Sequence, residues 1–242
     1  MSSARREVKV LKKLSGLGKH PGVISIVESH AKGDIQWLTT PFHSGGDLHS
    51  FVKNYPEVLS DAFIWHTIYC VTDALHWLFY GVSSTRPTLP PRWYAFHGDL
   101  DLPNLLLIPA TGTGDGPSGF PQIVIADLGS AEIYTQPGRQ SVRDFMHQQA
   151  LDLCFFGNYS VHDMTKVASA TSGRSTQVLE SWTAYFRNFR RTVDSWLSTY
   201  NVLNMLRGFH SAAAVRRLEN VQPLPGPVVD AIAAVPVLHE HK

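Results

Sequence analysis

The sequence predicts an α+β fold in which helices outweigh strands. Two observations carry this prediction: apolar residues recur at helical spacing over several segments, and two short apolar runs have the length of buried strands. The two runs are Leu105 to Ile108 and Ile123 to Ala126. Of the 242 residues, 43% are hydrophobic, which suffices for one sizeable core or two small lobes.

Helices are predicted from local patterns along the chain. Arg6 to Leu14 has apolar residues close to helical spacing, and Asp61 to Val82 reads as a long amphipathic helix that ends near Gly81. Beyond residue 176, helices are predicted for Gln177 to Tyr200 and for Tyr200 to Arg217, followed by a short helical run in the tail. Between these elements lie a Pro-rich insertion (83–92) and a polar loop (109–121).

Carboxylate and amide side chains of the kind that act in catalysis and metal binding flank the two apolar runs. Asp99 and Asn104 lie five positions apart in HGDLDLPNLLLI, and Asp127 follows the second run in IVIADLGSA. Phosphoryl transfer needs a carboxylate near the acceptor hydroxyl and oxygen ligands that hold Mg²⁺ on the nucleotide phosphates. Asp99 fits the first requirement, and Asn104 and Asp127 fit the second.

This pair of segments resembles the catalytic loop and the Asp-Phe-Gly turn of the eukaryotic protein kinases. The resemblance implies ATP and Mg²⁺ as cofactors, with Asp99, Asn104 and Asp127 as catalytic residues and the last two as Mg²⁺ ligands. It also implies a single domain over residues 1–242 with a two-lobe fold: a partial N-lobe and hinge over residues 1–44, reduced to helix C and strands 4 and 5, and a mostly helical C-lobe over 45–242.

Flanking segments resemble the same family in the same order. His20 to Ser29 is similar to the turn and strand 4, Ile35 to Val52 to strand 5, the hinge and the start of helix D, and Leu151 to Gly157 to the start of helix F. The nucleotide-binding residues implied by the resemblance are Glu7 on helix C, Thr40 at the gatekeeper position, Phe42 in the hinge, Asp47 near the ribose and Leu106 beneath the base. The implied structural residues are His97, packed under the Asp-Leu-Gly turn, Gly129 within that turn, and Asp152, which caps amides of the catalytic loop.

Departures from the family pattern limit the expected activity. The Gly-rich loop and strands 1 to 3 are missing, and with them the lysine that would pair with Glu7. The missing strands would leave an open sheet edge, so we expect an upstream segment or a partner to complete it. Gly98 replaces the Arg that binds an activation-loop phosphate, and Asp101 replaces a Lys, putting negative charge near the transferred group.

Three functions remain open at this stage. The first is a protein kinase that transfers phosphate to Ser or Thr hydroxyls, impaired by these losses. The second is a pseudokinase that binds a protein partner as a scaffold. The third is a small-molecule kinase of the aminoglycoside phosphotransferase type, which shares the His-Gly-Asp motif.

Composition excludes several other classes. The formal net charge of +1 is too small to indicate binding to nucleic acid or to an anionic membrane. The first residues lack an apolar signal core, and no apolar run approaches the roughly 18 residues of a membrane span. The two cysteines, Cys70 and Cys154, do not form a disulfide framework, and the scattered histidines predict no zinc site. We expect an intracellular, cytoplasmic protein.

Overall fold

The computed structural model describes residues 3–32, 35–82, 92–110, 119–135, 138–172, 199–219, 221 and 224–233. It confirms the predicted α+β class, with helices dominant and small antiparallel sheets. The helices are α1 (Ser3–Leu17), α2 (Leu48–Asn54), α3 (Asp61–Tyr80), α4 (Arg139–Phe155), α5 (His162–Ser172), α6 (Thr199–Arg216) and α7 (Gly226–Ala233). The strands are β1 (Glu28–Lys32), β2 (Ile35–Thr39), β3 (Tyr94–Phe96), β4 (Leu105–Ile108), β5 (Gln122–Ile125) and β6 (Glu132–Tyr134).

The N-terminal helix and hairpin form as the apolar pattern requires, but the first strand starts later than predicted. Helix α1 buries its apolar stripe, and β1 pairs antiparallel with β2 from Glu28 opposite Thr39. The strand predicted within His20 to Ser29 is therefore wrong over most of its length. The apolar residues there attach the chain to β5 instead, since the amide of Ile24 donates to the Ile125 carbonyl at 2.8 Å.

Helix α3 is the centre of the core. Its N-terminus is capped by the Ser60 hydroxyl, which accepts from the amide of Phe63, and it ends at Gly81 with φ +65°. The predicted bounds are confirmed, but the amphipathic reading is wrong because nearly every side chain of the helix is buried. A helix that is apolar on most faces is expected in a core rather than at its surface.

Two short pairs of antiparallel strands join distant parts of the chain. Strand β4 pairs with β5, with Leu105 opposite Ile125, and β3 pairs with β6, with Tyr94 opposite Tyr134. Both predicted apolar runs are thus strands of one hairpin. This hairpin brings the segments that follow Asp99 and precede Asp127 to the same end of a two-stranded sheet.

The helix expected to start near Leu151 begins well upstream, at Arg139. It continues through a π-helical turn (Phe156–Val161) into α5, so that Asp152 lies inside a helix rather than at its start. Buried residues at 145, 146, 149, 150 and 153 follow helical spacing, which explains the longer helix.

Several other predictions concern the loops and the C-terminal part of the chain. Helix α6 matches the one predicted over Tyr200 to Arg217, and α7 the helical run in the tail, whereas most of the helix predicted over Gln177 to Tyr200 lies outside the described residues, as do most of both predicted loops. The structure contains no disulfide between Cys70 and Cys154, and burial raises the pKa of the Cys70 thiol to about 11. In the part of the chain described, no helix has the length and apolar character needed to cross a membrane.

Candidate functional site

The loop that carries Asp99 is anchored to the core by Asp152. One carboxylate oxygen of Asp152 accepts from the His97 amide at 2.6 Å, and the other accepts from the Gly98 amide at 2.8 Å. These are the capping contacts expected of Asp152, although the residue reaches them from within α4. Burial raises the pKa of this carboxyl to about 7, while the two amide hydrogen bonds act in the opposite direction.

His97 connects this loop to the strand that precedes Asp127. Its Nε2 lies 2.9 Å from the carbonyl oxygen of Ala126, and its Nδ1 accepts from the amide of Asp99 at 3.2 Å. The ring is therefore a neutral imidazole that donates through Nε2. Burial lowers its pKa, which keeps it neutral at physiological pH.

Asp99 and Asn104 face each other across a tight loop. The Asn104 amide nitrogen donates to the Asp99 carbonyl at 2.8 Å and to its carboxylate at 3.2 Å. A 3-10 turn (Leu102–Asn104) sets this spacing, and Asp101 caps it by accepting from the Leu102 amide at 2.7 Å. The Asp99 side chain is exposed, so its other carboxylate lone pairs face solvent.

Asp127 lies at the end of the same hairpin in a strained conformation. Its φ of +53° is the sole positive value at a non-glycine residue in the described chain, and its carboxylate accepts from the Gly129 amide at 3.1 Å. Leu128 is fully buried behind it, while Asp127 itself is exposed. The amide of Ala126 donates to the Asn104 carbonyl at 2.8 Å, so the segments bearing Asn104 and Asp127 are directly joined.

Glu7 reaches this turn from α1. The Leu128 amide donates to its carboxylate, and burial together with the charge of Asp127 raises the pKa of Glu7. No ion pair joins Glu7 to a cation within the described residues. The structure therefore brings Glu7 to Asp127 as two neighbouring carboxylates.

Three of the other predicted nucleotide-binding residues lie in the connection from β2 to α2, and the fourth, Leu106, lies on β4. Thr40 is half-buried after β2, and Phe42 is exposed. Asp47 caps α2, accepting from the Ser50 amide at 2.7 Å and from the Ser50 hydroxyl at 2.9 Å, and it forms a β-bridge with Leu106. The structure thus brings Asp47 and Leu106 together, with the Asp47 carboxylate engaged in a helix cap.

Two buried polar residues that support the site were not predicted from the sequence. Ser160, in the π-helical turn, donates to the Asp101 carboxylate at 2.9 Å. Gln149 accepts from the Tyr80 hydroxyl at 2.7 Å and donates to the Ala95 carbonyl at 2.6 Å, which holds β3 against the core. Both residues are polar and lie on helix faces that are otherwise apolar. That pattern was the one feature of the sequence that could have indicated them.

The donor set suits a hard cation such as Mg²⁺. Asn104 and Asp127 offer an amide oxygen and a carboxylate, which are ligands that Mg²⁺ accepts when phosphates and water complete its shell. Among the described residues, no three His, Cys, Asp or Glu side chains come close enough to share a metal ion by themselves. Neither the models of known protein families nor the sequences of curated proteins match this chain.

Proposed function

We propose that this chain is a two-lobed, kinase-like domain that transfers the γ-phosphoryl group of ATP to a Ser or Thr hydroxyl of a protein. The observation that carries the proposal is the Asp99–Asn104 pair, held beside Asp127 by a hydrogen-bonded loop. Such a transfer uses a carboxylate near the acceptor hydroxyl and oxygen ligands for the metal ion, and these three residues would supply both.

Each residue has a distinct role in this proposal. Asp99 accepts the proton of the acceptor hydroxyl, and the Asn104 amide nitrogen holds its carboxylate in place. The Asn104 amide oxygen and the Asp127 carboxylate would hold Mg²⁺, which would supply positive charge to neutralise the phosphates. Asp152 and His97 act as positioning residues, since they contact the loop backbone rather than a reacting atom.

Two observations favour a second candidate, a pseudokinase that serves as a binding scaffold. The exposed Asp101 carboxylate lies in the catalytic loop, where it would repel a transferred phosphate. Glu7 is half-buried beside another carboxylate without a cation in the described chain. Both features would slow transfer of the phosphoryl group.

A thermal-shift measurement with Mg·ATP separates these candidates, because a ligand that binds the folded state raises the melting temperature. We expect a shift for the wild type, its loss in Asp127→Asn, and its retention in Asp163→Asn, which removes an exposed carboxylate from α5. Asp99→Asn should keep the shift and lose transfer of labelled phosphate to casein or histone. No shift in the wild type would contradict the nucleotide site and favour the scaffold.

A further inference from the structure

A groove of about 270 Å³ lies between α1 and β6, on a different part of α1 from Glu7. Four residues of α1 and four of the β6 segment line it: Arg6, Lys9, Val10, Lys13, Ala131, Glu132, Ile133 and Tyr134. Glu7 instead contacts the Leu128 amide beside Asp127, so the groove is separate from the proposed phosphoryl-transfer site.

The walls of the groove are cationic. Arg6, Lys9 and Lys13 lie one helical turn apart along α1, and Glu132 is the one carboxylate opposite them, which leaves two net positive charges. The Lys13 ammonium is already engaged, since it donates to the Ile133 carbonyl at 3.0 Å and lies 5.6 Å from the centre of the Tyr134 ring. Within the described residues, no ion pair joins Arg6 or Lys9 to a carboxylate.

The floor of the groove is apolar. Val10, Ala131 and Ile133 are buried beneath it, and the Tyr134 ring stands at its edge, 47% exposed. A cavity with an apolar floor and a few charged groups at its rim is typical of small-molecule sites.

We propose that this groove binds a small organic phosphomonoester. Its dianionic phosphate would lie between Arg6 and Lys9, matching the two net positive charges, and its apolar or aromatic body would rest on Val10 and Ile133. Arg6 offers a planar fork of donors suited to a phosphate, and Lys9 adds a second charge from the next turn. A bound ligand would bridge α1 and β6 and so hold α1, with its Glu7, against the segment that follows Asp127.

Titration with phenyl phosphate tests the proposal, because this compound combines both features in a small molecule. We expect saturable binding by calorimetry, with a dissociation constant of about 1 mM or tighter. Arg6→Gln and Lys9→Gln should each weaken binding about tenfold, since each removes a charge-assisted hydrogen bond. Lys9→Arg should restore most of it.

The matched control is Lys12→Gln. Lys12 is an exposed cation on the same helix that does not line the groove, so this variant makes the same change in net charge. It should change the affinity less than twofold. An equal loss in Lys12→Gln and Lys9→Gln would overturn the proposal, since it would show only diffuse attraction of an anion to a basic helix.

Two simpler probes test the two halves of the ligand. Phenol, which lacks the charge, and inorganic phosphate, which lacks the apolar body, should both bind at least tenfold more weakly than phenyl phosphate. Equal binding of inorganic phosphate would overturn the assignment of an organic ligand, as would the absence of saturable binding of phenyl phosphate. None of these readouts depends on ATP binding or on transfer activity.

Discussion

Gly98 precedes Asp99 in a backbone conformation that other residues rarely adopt. Its φ is +83°, and a Cβ atom at this position would lie 2.8 Å from the carbonyl oxygen of Ser130. The Gly98 amide also donates one of the two hydrogen bonds that the Asp152 carboxylate accepts from this loop. Glycine therefore suits a loop that passes this close to the segment after Asp127.

Gly98→Ala should destabilise the protein, by about 1–3 kcal/mol, because it adds both left-handed strain and a clash with backbone. Urea unfolding measures this change in the free energy of unfolding. Gly46→Ala is the matched control, since Gly46 also has a positive φ (+68°) but has open space around it. If the two variants lost equal stability, the close approach to Ser130 would play no part.

At the scale of elements, α3 is unusual in burying two histidines. The exposed fractions of His66 and His76 are 4% and 1%. His66 Nε2 lies 2.8 Å from the Pro121 carbonyl, and the ring of His76 contacts that of His210 on α6. Burial, together with the charge of Arg217 near His66 and of His210 near His76, lowers the pKa of both imidazoles to about 4.

Stability should therefore fall as the pH decreases from about 6.5 to 4. In that window the unfolded chain binds protons at these histidines and the folded chain does not, so protonation favours unfolding, by roughly 3 kcal/mol for each residue. Asp152 acts in the opposite direction, because its raised pKa makes the folded state lose stability as the pH rises toward 7.

Comparison of variants isolates the histidine contribution, since the effect of Asp152 is common to all of them. His66→Gln should reduce the loss of unfolding free energy between pH 6.5 and 4, measured by urea titrations at each pH. His49→Gln removes an exposed histidine of α2 and should leave the profile unchanged. A profile for His66→Gln identical to that of the wild type would show that His66 does not titrate in this range.

At the scale of the whole molecule, the C-terminal part of the described chain returns to the connection between β2 and α2. The Ser44 hydroxyl donates to the carbonyl of Ile232 at 2.9 Å, and the side chain of Ile232 is buried in the core cluster. Helix α7 also packs against β4. The C-terminal end of the described fold is thus joined to the segment that carries Phe42 and Asp47.

Ile232→Ala should lower the free energy of unfolding by about 2–5 kcal/mol, because it leaves a cavity beside this connection. Val229→Ala, on the same helix, truncates a side chain that is 39% exposed and should have a much smaller effect, below roughly 1 kcal/mol. Thermal or urea unfolding gives both values. Similar losses in the two variants would mean that α7 adds little to the core of the domain.

The sequence was informative where neighbouring residues decide the structure. The bounds of α3 follow from a capping Ser60 and a terminal Gly81, and the strands β4 and β5 follow from short apolar runs. Prediction from the sequence failed where the same local pattern is compatible with two different structures. The apolar residues after His20 bind the edge of β5 through Ile24 rather than forming a strand of the hairpin.

The sequence by itself determined the α+β class, the helices α1, α3 and α6, and the spacing of Asp99, Asn104 and Asp127, because short-range periodicity and turn residues encode these features. Only the tertiary structure decided that Asp152 holds the loop from within a helix, that Ser160 engages Asp101, and that α1 forms a cationic groove with β6. Each of these contacts joins residues far apart in the chain. Their geometry depends on how whole elements pack, and no local pattern specifies it.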